Sequence, residues 1–145
     1  MIVRPATFAD LPDLVASAIK LGNLHYQGDE PTRAHITDVI EGIVGGTSSL
    51  TLVMEDGHGT YAGCYLGTLI ANMISGKPVS VEILFWVEPE FRGHGRSLLG
   101  YVEDWARAQG CTSTVLSCPA RADRAARVFE AWGYEPSERH FRKKL

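Results

Sequence analysis

Apolar positions along the chain switch between a period near 3.6 and a period of two, and the switches outline the elements. Ile2 to Arg4 predicts a short strand. Thr7 and Asp10 form a capping pair ahead of a helix with apolar residues at Leu11, Leu14, Val15, Ala18 and Ile19, which Gly22 is expected to close. Pro31 suits a first helical position, and Ile36, Val39, Ile40, Ile43 and Val44 repeat at helical spacing until Gly45-Gly46. Residues 49–55 and 60–72 predict a hairpin about the turn Asp56-Gly57-His58-Gly59, and Ser75-Gly76-Lys77-Pro78 turns the chain again. From Val79 to Val87 every odd position is apolar, which places Ser80 and Glu82 on the opposite face. Leu98, Leu99, Val102, Trp105 and Ala106 form a helical stripe that stops at Gly110. Residues 112–118 alternate as a strand, Asp123 to Trp132 carry a last helix, and 134–144 are expected to end in extended structure.

Strands and helices interleave without repeat, linker or low-complexity segment, which predicts an α/β (α+β) fold in one domain over residues 1–145. Composition agrees: 45% hydrophobic and 21% charged residues suit a globular chain, not a disordered one. A net charge of -3 gives no global attraction for nucleic acid or an anionic membrane. Three cysteines without CxxC spacing argue against a disulfide framework or a zinc knuckle. With no signal-like N-terminus and no apolar run near the ~20 residues of a spanning helix, a soluble, cytoplasmic protein is expected.

The chemistry concentrates in Arg92-Gly93-His94-Gly95-Arg96-Ser97, between a strand and a helix. A strand, a glycine-rich basic turn and a helix N-terminus together present unpaired backbone N–H groups to an anion, and a phosphate is the natural guest. Gly93 and Gly95 clear the approach to the backbone and tolerate positive φ, while Arg92 and Arg96 add positive charge.

The stretch from Phe85 to Ser97 resembles the cofactor motif R/Q-x-x-G-x-G/A of the GCN5-related N-acetyltransferase (GNAT) family. Arg92 and Gly95 match it, and Ser97 replaces the final glycine or alanine. Ala125 to Tyr134 resembles the family's A-x-x-L-Y-E-x-x-G-F segment, so the likeness spans nearly the whole chain. It implies a mixed central sheet of about six or seven strands flanked by about four helices, with acetyl-coenzyme A as cofactor. It implies a pantetheine arm beside the backbone of Phe85, Trp86 and Val87, the pyrophosphate on the turn from Arg92 through Gly93, His94, Gly95 and Arg96 to Ser97, and Phe129 in the cofactor groove. Such strand-like pairing requires the motif strand to splay from its neighbour.

The implied reaction is acetyl transfer to a primary amine of a small molecule or protein. An amine of pKa about 10.4 costs about 4.6 kcal/mol to deprotonate at pH 7, so a base is needed. Glu82, on the polar positions of the motif strand and in the region where the family often carries a base glutamate, is the first candidate, and Glu88, before Pro89, the second. The family's general-acid tyrosine is replaced by Phe129, leaving Cys118, Ser117 and Tyr134 as substitutes, or departure of the acidic coenzyme A thiol unaided or through water. An asparagine common seven residues earlier is replaced by Ala122.

Other signals carry less. Gly57 to Ala62 fits GxGxxA but precedes a strand, no GxxxxGK[ST] occurs, and the five histidines lack metal-ligand spacing, so no metal is expected. Arg121, Arg124 and Arg127 recur every three residues, followed by Arg139, Arg142, Lys143 and Lys144. A solvated face is the plain account, and contact with the cofactor's ribose phosphate or with a nucleic-acid acceptor the sharper one. The departures at Phe129 and Ala122 motivate a cofactor-binding module without turnover as an alternative. Pairing of two copies through an edge strand is common in the family.

Overall fold

The computed structural model describes residues 1–25 and 32–143. Pro31 and Lys144 lie outside them. Strand β1 (Ile2–Pro5) leads through a single 3-10 turn into α1 (Leu11–His25), and α2 spans Arg33–Ile43. Strands β2 (Ser49–Glu55), β3 (Tyr61–Ala71) and β4 (Pro78–Val87) follow, then α3 (Arg96–Ala108), β5 (Thr114–Val115) and α4 (Asp123–Ala131). The strands form one mixed sheet in sequence order, antiparallel from β1 to β4 and parallel between β4 and β5.

Local chemistry sets the ends. The Thr7 amide donates to Asp10 Oδ2 at 2.7 Å, and Arg4 ties Asp10 Oδ1 at 2.9 Å and Glu55 at 2.5 Å, pinning the start of α1 to β1 and β2. At the end of α4, Gly133 takes φ +89°, a region that favours glycine, so its amide bonds to Glu130 and that of Tyr134 to Phe129. The chain reversal leaves the Tyr134 and Phe129 rings 6.2 Å apart.

Two cores form, one on each face of the sheet. Leu14 and Val15 of α1 and Ile40 of α2 pack with Val53, Cys64, Leu66, Leu84 and Trp86. Leu98, Leu99 and Val102 of α3 pack on the other face with Leu52, Met54, Ala62 and Tyr65, joined by Phe85, Val87 and Trp132. Gly63 marks the tightest approach between β3 and β4: a Cβ there would stand 2.5 Å from the Trp86 carbonyl oxygen and 3.1 Å from Val87 Cα. Backbone cannot swing aside as a side chain can. Gly63→Ala is expected to destabilise the chain by about 1–3 kcal/mol, lowering its Tm by roughly 5–10 °C in a thermal melt, and an unchanged Tm would contradict this packing.

Four expectations change. Helix α1 runs through Gly22 to His25, because one interior glycine costs only about 1 kcal/mol and Leu21 beside it packs on the core. The strand expected over 112–118 shrinks to Thr114–Val115. No strand forms over 134–143, where all but Tyr134 are exposed and Pro136 offers no amide donor. The described sheet therefore has five strands instead of six or seven. Finally, Ser80 and Glu82 do not lie opposite Phe85 and Val87. Leu66 pairs with Leu84 but Gly67 pairs with Glu82, so Ile83 is an extra residue in β4. This bulge reverses the alternation, and Ser80, Glu82, Phe85 and Val87 share the face covered by α3.

Candidate active site

The bulged strand β4 pairs with β5 only at Ser80–Thr114 and Val81–Val115. Beyond that point the two strands part, and Glu82 to Val87 are paired on the β3 side alone. A ligand that adds itself as a strand along Phe85, Trp86 and Val87 needs such an edge without a ladder partner. Their side chains divide between faces: Phe85 and Val87 face α3, whereas Trp86 is buried against α1 and α2.

Directly after this edge comes the glycine turn. Gly93 has φ +103°, a conformation that L side chains rarely adopt. Gly95 has an ordinary helical φ of -58°, so positive φ is not its role. A Cβ on Gly95 would lie 2.9 Å from Phe85 Cζ and 3.1 Å from Val87 Cγ2, so glycine here seats the turn on the motif strand. The His94 amide bonds to Phe91 and that of Ser97 to His94, while among the described residues the amides of Gly93, Gly95, Arg96 and Leu98 find no acceptor. The first turn of α3 contains no acidic residue and no side chain caps it. Unspent donors at an uncapped helix N-terminus suit a phosphate.

The two arginines of the turn differ. Arg92 is exposed at its rim. Arg96 instead runs along α3, its Nη1 and Nη2 donating to Glu103 Oε1 at 2.5 Å and Oε2 at 3.1 Å. Glu103 therefore offsets the positive charge that the sequence attributes to Arg96. It also receives the Tyr134 hydroxyl at 3.2 Å, which raises the tyrosine's pKa together with its burial. His94 and Ser97 are exposed on the turn. Phe129 sits in a ring cluster 6.1 Å from Phe85 and 6.2 Å from Trp132. Ala122 is the N-cap of α4 and offers no side-chain acceptor there.

Glu82 stands where β4 and β5 separate. It is partly buried, and the Ser117 amide donates to its Oε2 at 3.1 Å, using a backbone donor that the interrupted ladder leaves over. Burial raises its pKa above the usual carboxylate value, with the Ser117 hydrogen bonds opposing. Glu88 differs. It pairs with Lys20 of α1 at 2.6 Å, beside a cleft of about 470 Å³ also lined by Asn23, Leu24 and Trp86. Cys118 is raised by burial and by the Glu82 charge, so its thiol stays protonated at neutral pH. Arg121, Arg124 and Arg127 are exposed and enter no ion pair among the described residues. Among those residues no three His, Cys, Asp or Glu side chains converge on a metal position, and no helix is long and apolar enough to cross a membrane.

Sequence reasoning missed Tyr65, Ser80 and Thr114, three hydroxyls buried at the root of the opening. Nothing in an apolar run signals them.

Comparison with known proteins adds the lineage. The profile described as Acetyltransferase (GNAT) family matches residues 19–134. No curated protein sequence matches the chain. Among solved structures, a tetramutant of the BH1408 protein from Bacillus halodurans superposes with a TM-score of 0.84 at 18% identity, covering 100% of each chain. The aminoglycoside antibiotic 6'-N-acetyltransferase AAC(6')-Ih from Acinetobacter baumannii gives 0.78 at 20% identity, covering 99% of this chain and 98% of that one. AAC(6')-Iy in complex with the bisubstrate analogue CoA-S-monomethyl-acetylneamine gives 0.77 at 22% identity, covering 99% and 98%.

Proposed function

The chain belongs to the GNAT acetyltransferase family, and from that premise we propose that it moves an acetyl group from acetyl-coenzyme A to a primary amine by direct attack, with Glu82 as base. The observation that carries this reading is the parting of β4 from β5 shortly before an uncapped turn with unspent amides. Those two features fit the two halves of one ligand, an arm that pairs along Phe85, Trp86 and Val87 and a pyrophosphate seated on Gly93, Gly95 and Arg96. Phe129, its ring tilted against that of Phe85, walls the groove, and the exposed His94, Ser97 and Arg92 line its rim.

Bound acetyl-coenzyme A supplies an activated thioester. The chain's own residues supply position and proton transfer. The Ser117 amide holds Glu82 Oε2, leaving Oε1 to accept the proton that the attacking amine must lose, directly or through water. A raised pKa makes Glu82 a better proton acceptor than an ordinary carboxylate, and no cation pairs with it. Glu88 is instead engaged in an ion pair with Lys20 at 2.6 Å. The leaving coenzyme A thiolate is acidic enough to depart unaided or through water, since burial makes the Cys118 thiol a weaker acid and the Tyr134 hydroxyl is committed to Glu103.

The test is thiol release from acetyl-coenzyme A over a panel of amines that includes aminoglycosides, small polyamines and lysine peptides. Saturable, amine-dependent release is expected. Coenzyme A binding without amine-dependent release would mean a module that holds the cofactor without turnover.

A further inference from the structure

Tyr65 is buried completely in β3 and takes no part in the chemistry above. Its ring lies over Gly67, where a Cβ would strike the ring and the hydroxyl. Gly67 is the cross-strand partner of Glu82, so the missing side chain lets Tyr65 extend along the face that carries Glu82. At the same level Ser80 pairs with Thr114, at the root of the β4–β5 opening. Ser80 and Thr114 stand close enough to the Tyr65 hydroxyl to ease its ionisation, and Glu82 close enough to oppose it.

Tyr65 Oη, Ser80 Oγ and Thr114 Oγ1 are all buried and lie near one another, and among the described residues none has a partner at full hydrogen-bond geometry. A buried hydroxyl without a partner costs about 1–3 kcal/mol. Buried hydroxyls that cluster without well-formed bonds to one another are commonly joined by one water with about three partners. We infer that Tyr65 is a positioning residue for Glu82, its hydroxyl sharing with Ser80 and Thr114 one ordered water that faces the Glu82 carboxyl. The bulge at Ile83 is what brings Ser80, Glu82 and the Tyr65 ring to one face, so the device is a product of the same irregularity that opens the sheet.

The catalytic meaning of this arrangement rests on Glu82 being the base, but the arrangement itself does not. The groups that face Glu82 are Tyr65 from β3 and the Ser117 amide and Cys118 thiol from the segment after β5, with Cys111 near Tyr65. A donor held against the carboxylate favours its charged form, so removing Tyr65's hydroxyl must push Glu82 further upward than burial already does.

The experiment follows the Glu82 carboxyl carbon by NMR in the full chain labelled with 13C-glutamate, its resonance assigned through Glu82→Gln. Tyr65→Phe keeps the ring, and Thr114→Val removes a second hydroxyl of the same set. Each is expected to raise the Glu82 titration midpoint by about half a unit to one unit and to move the acid limb of the rate profile with it. A midpoint unmoved in both variants, or moved only in Thr114→Val, overturns the role of Tyr65. If the midpoint moves while Glu82→Gln leaves the rate intact, the inference about Tyr65 stands and the assignment of Glu82 as base falls.

Discussion

Glu82→Gln is expected to lower amine-dependent thiol release by about 10²–10⁴-fold at neutral pH while leaving coenzyme A affinity within about threefold. Glutamine still accepts the Ser117 amide, so the opening keeps its geometry and only the proton acceptor is lost. The stability consequence has the opposite sign. Burial raises the Glu82 pKa in the folded chain above its unfolded value. Below the unfolded value both states hold the proton and Glu82 costs nothing. As pH rises through the window between the two values, the folded chain retains a proton that the unfolded chain has released, and stability falls. Above the folded pKa the full cost persists. The glutamine variant escapes it, so at pH 7 its Tm should equal or exceed that of the wild type, and the gap should close on acidification. A variant that loses both rate and Tm at pH 7 would make Glu82 a structural group.

That Glu82 stands on the same face as Phe85 could not be read from the residue pattern, for a physical reason. Strand β4 is covered on both faces, so Ile83, Leu84, Phe85, Trp86 and Val87 are all apolar and the period of two disappears. A bulge shifts the phase of an alternation, and where no alternation exists the shift leaves no trace. The odd-position rule therefore placed Glu82 on the wrong face while choosing the right strand. Where one face is wet or a cap is chemical, the pattern was informative: Thr7 with Asp10, the turn after Glu55, and Gly110 all sit where the sequence puts them. The short β5 and the missing terminal strand were misjudged because isolated alternation says nothing about whether a partner edge is in reach. Arg96 shows the same limit in electrostatics. Its charge is plain in the sequence, but Glu103, seven residues on, becomes a partner only once α3 has formed and Tyr134 has folded back on it.

Gly93→Val carries the second large expected effect, a loss of coenzyme A affinity of about 100-fold, or about 2.7 kcal/mol. At φ +103° a β-branched residue is strained by about 1–3 kcal/mol, and the chain has a cheap escape. A Cβ at position 93 would meet nothing within 4 Å, so no packing holds the turn in place, and the flanking peptides can rotate to a negative φ. That rotation re-aims the amides of Gly93 and His94, the first a donor offered to the pyrophosphate and the second the bond to Phe91 that shapes the turn. The fold should survive, because Gly95, which seats the turn against Phe85 and Val87, is untouched. Gly95→Val is the contrasting variant: its clash at 2.9 Å with the Phe85 ring must lower Tm as well as affinity. Calorimetric titration with coenzyme A and thermal melts of both variants separate the two roles. If Gly93→Val binds coenzyme A within threefold of the wild type, the pyrophosphate does not rest on this turn.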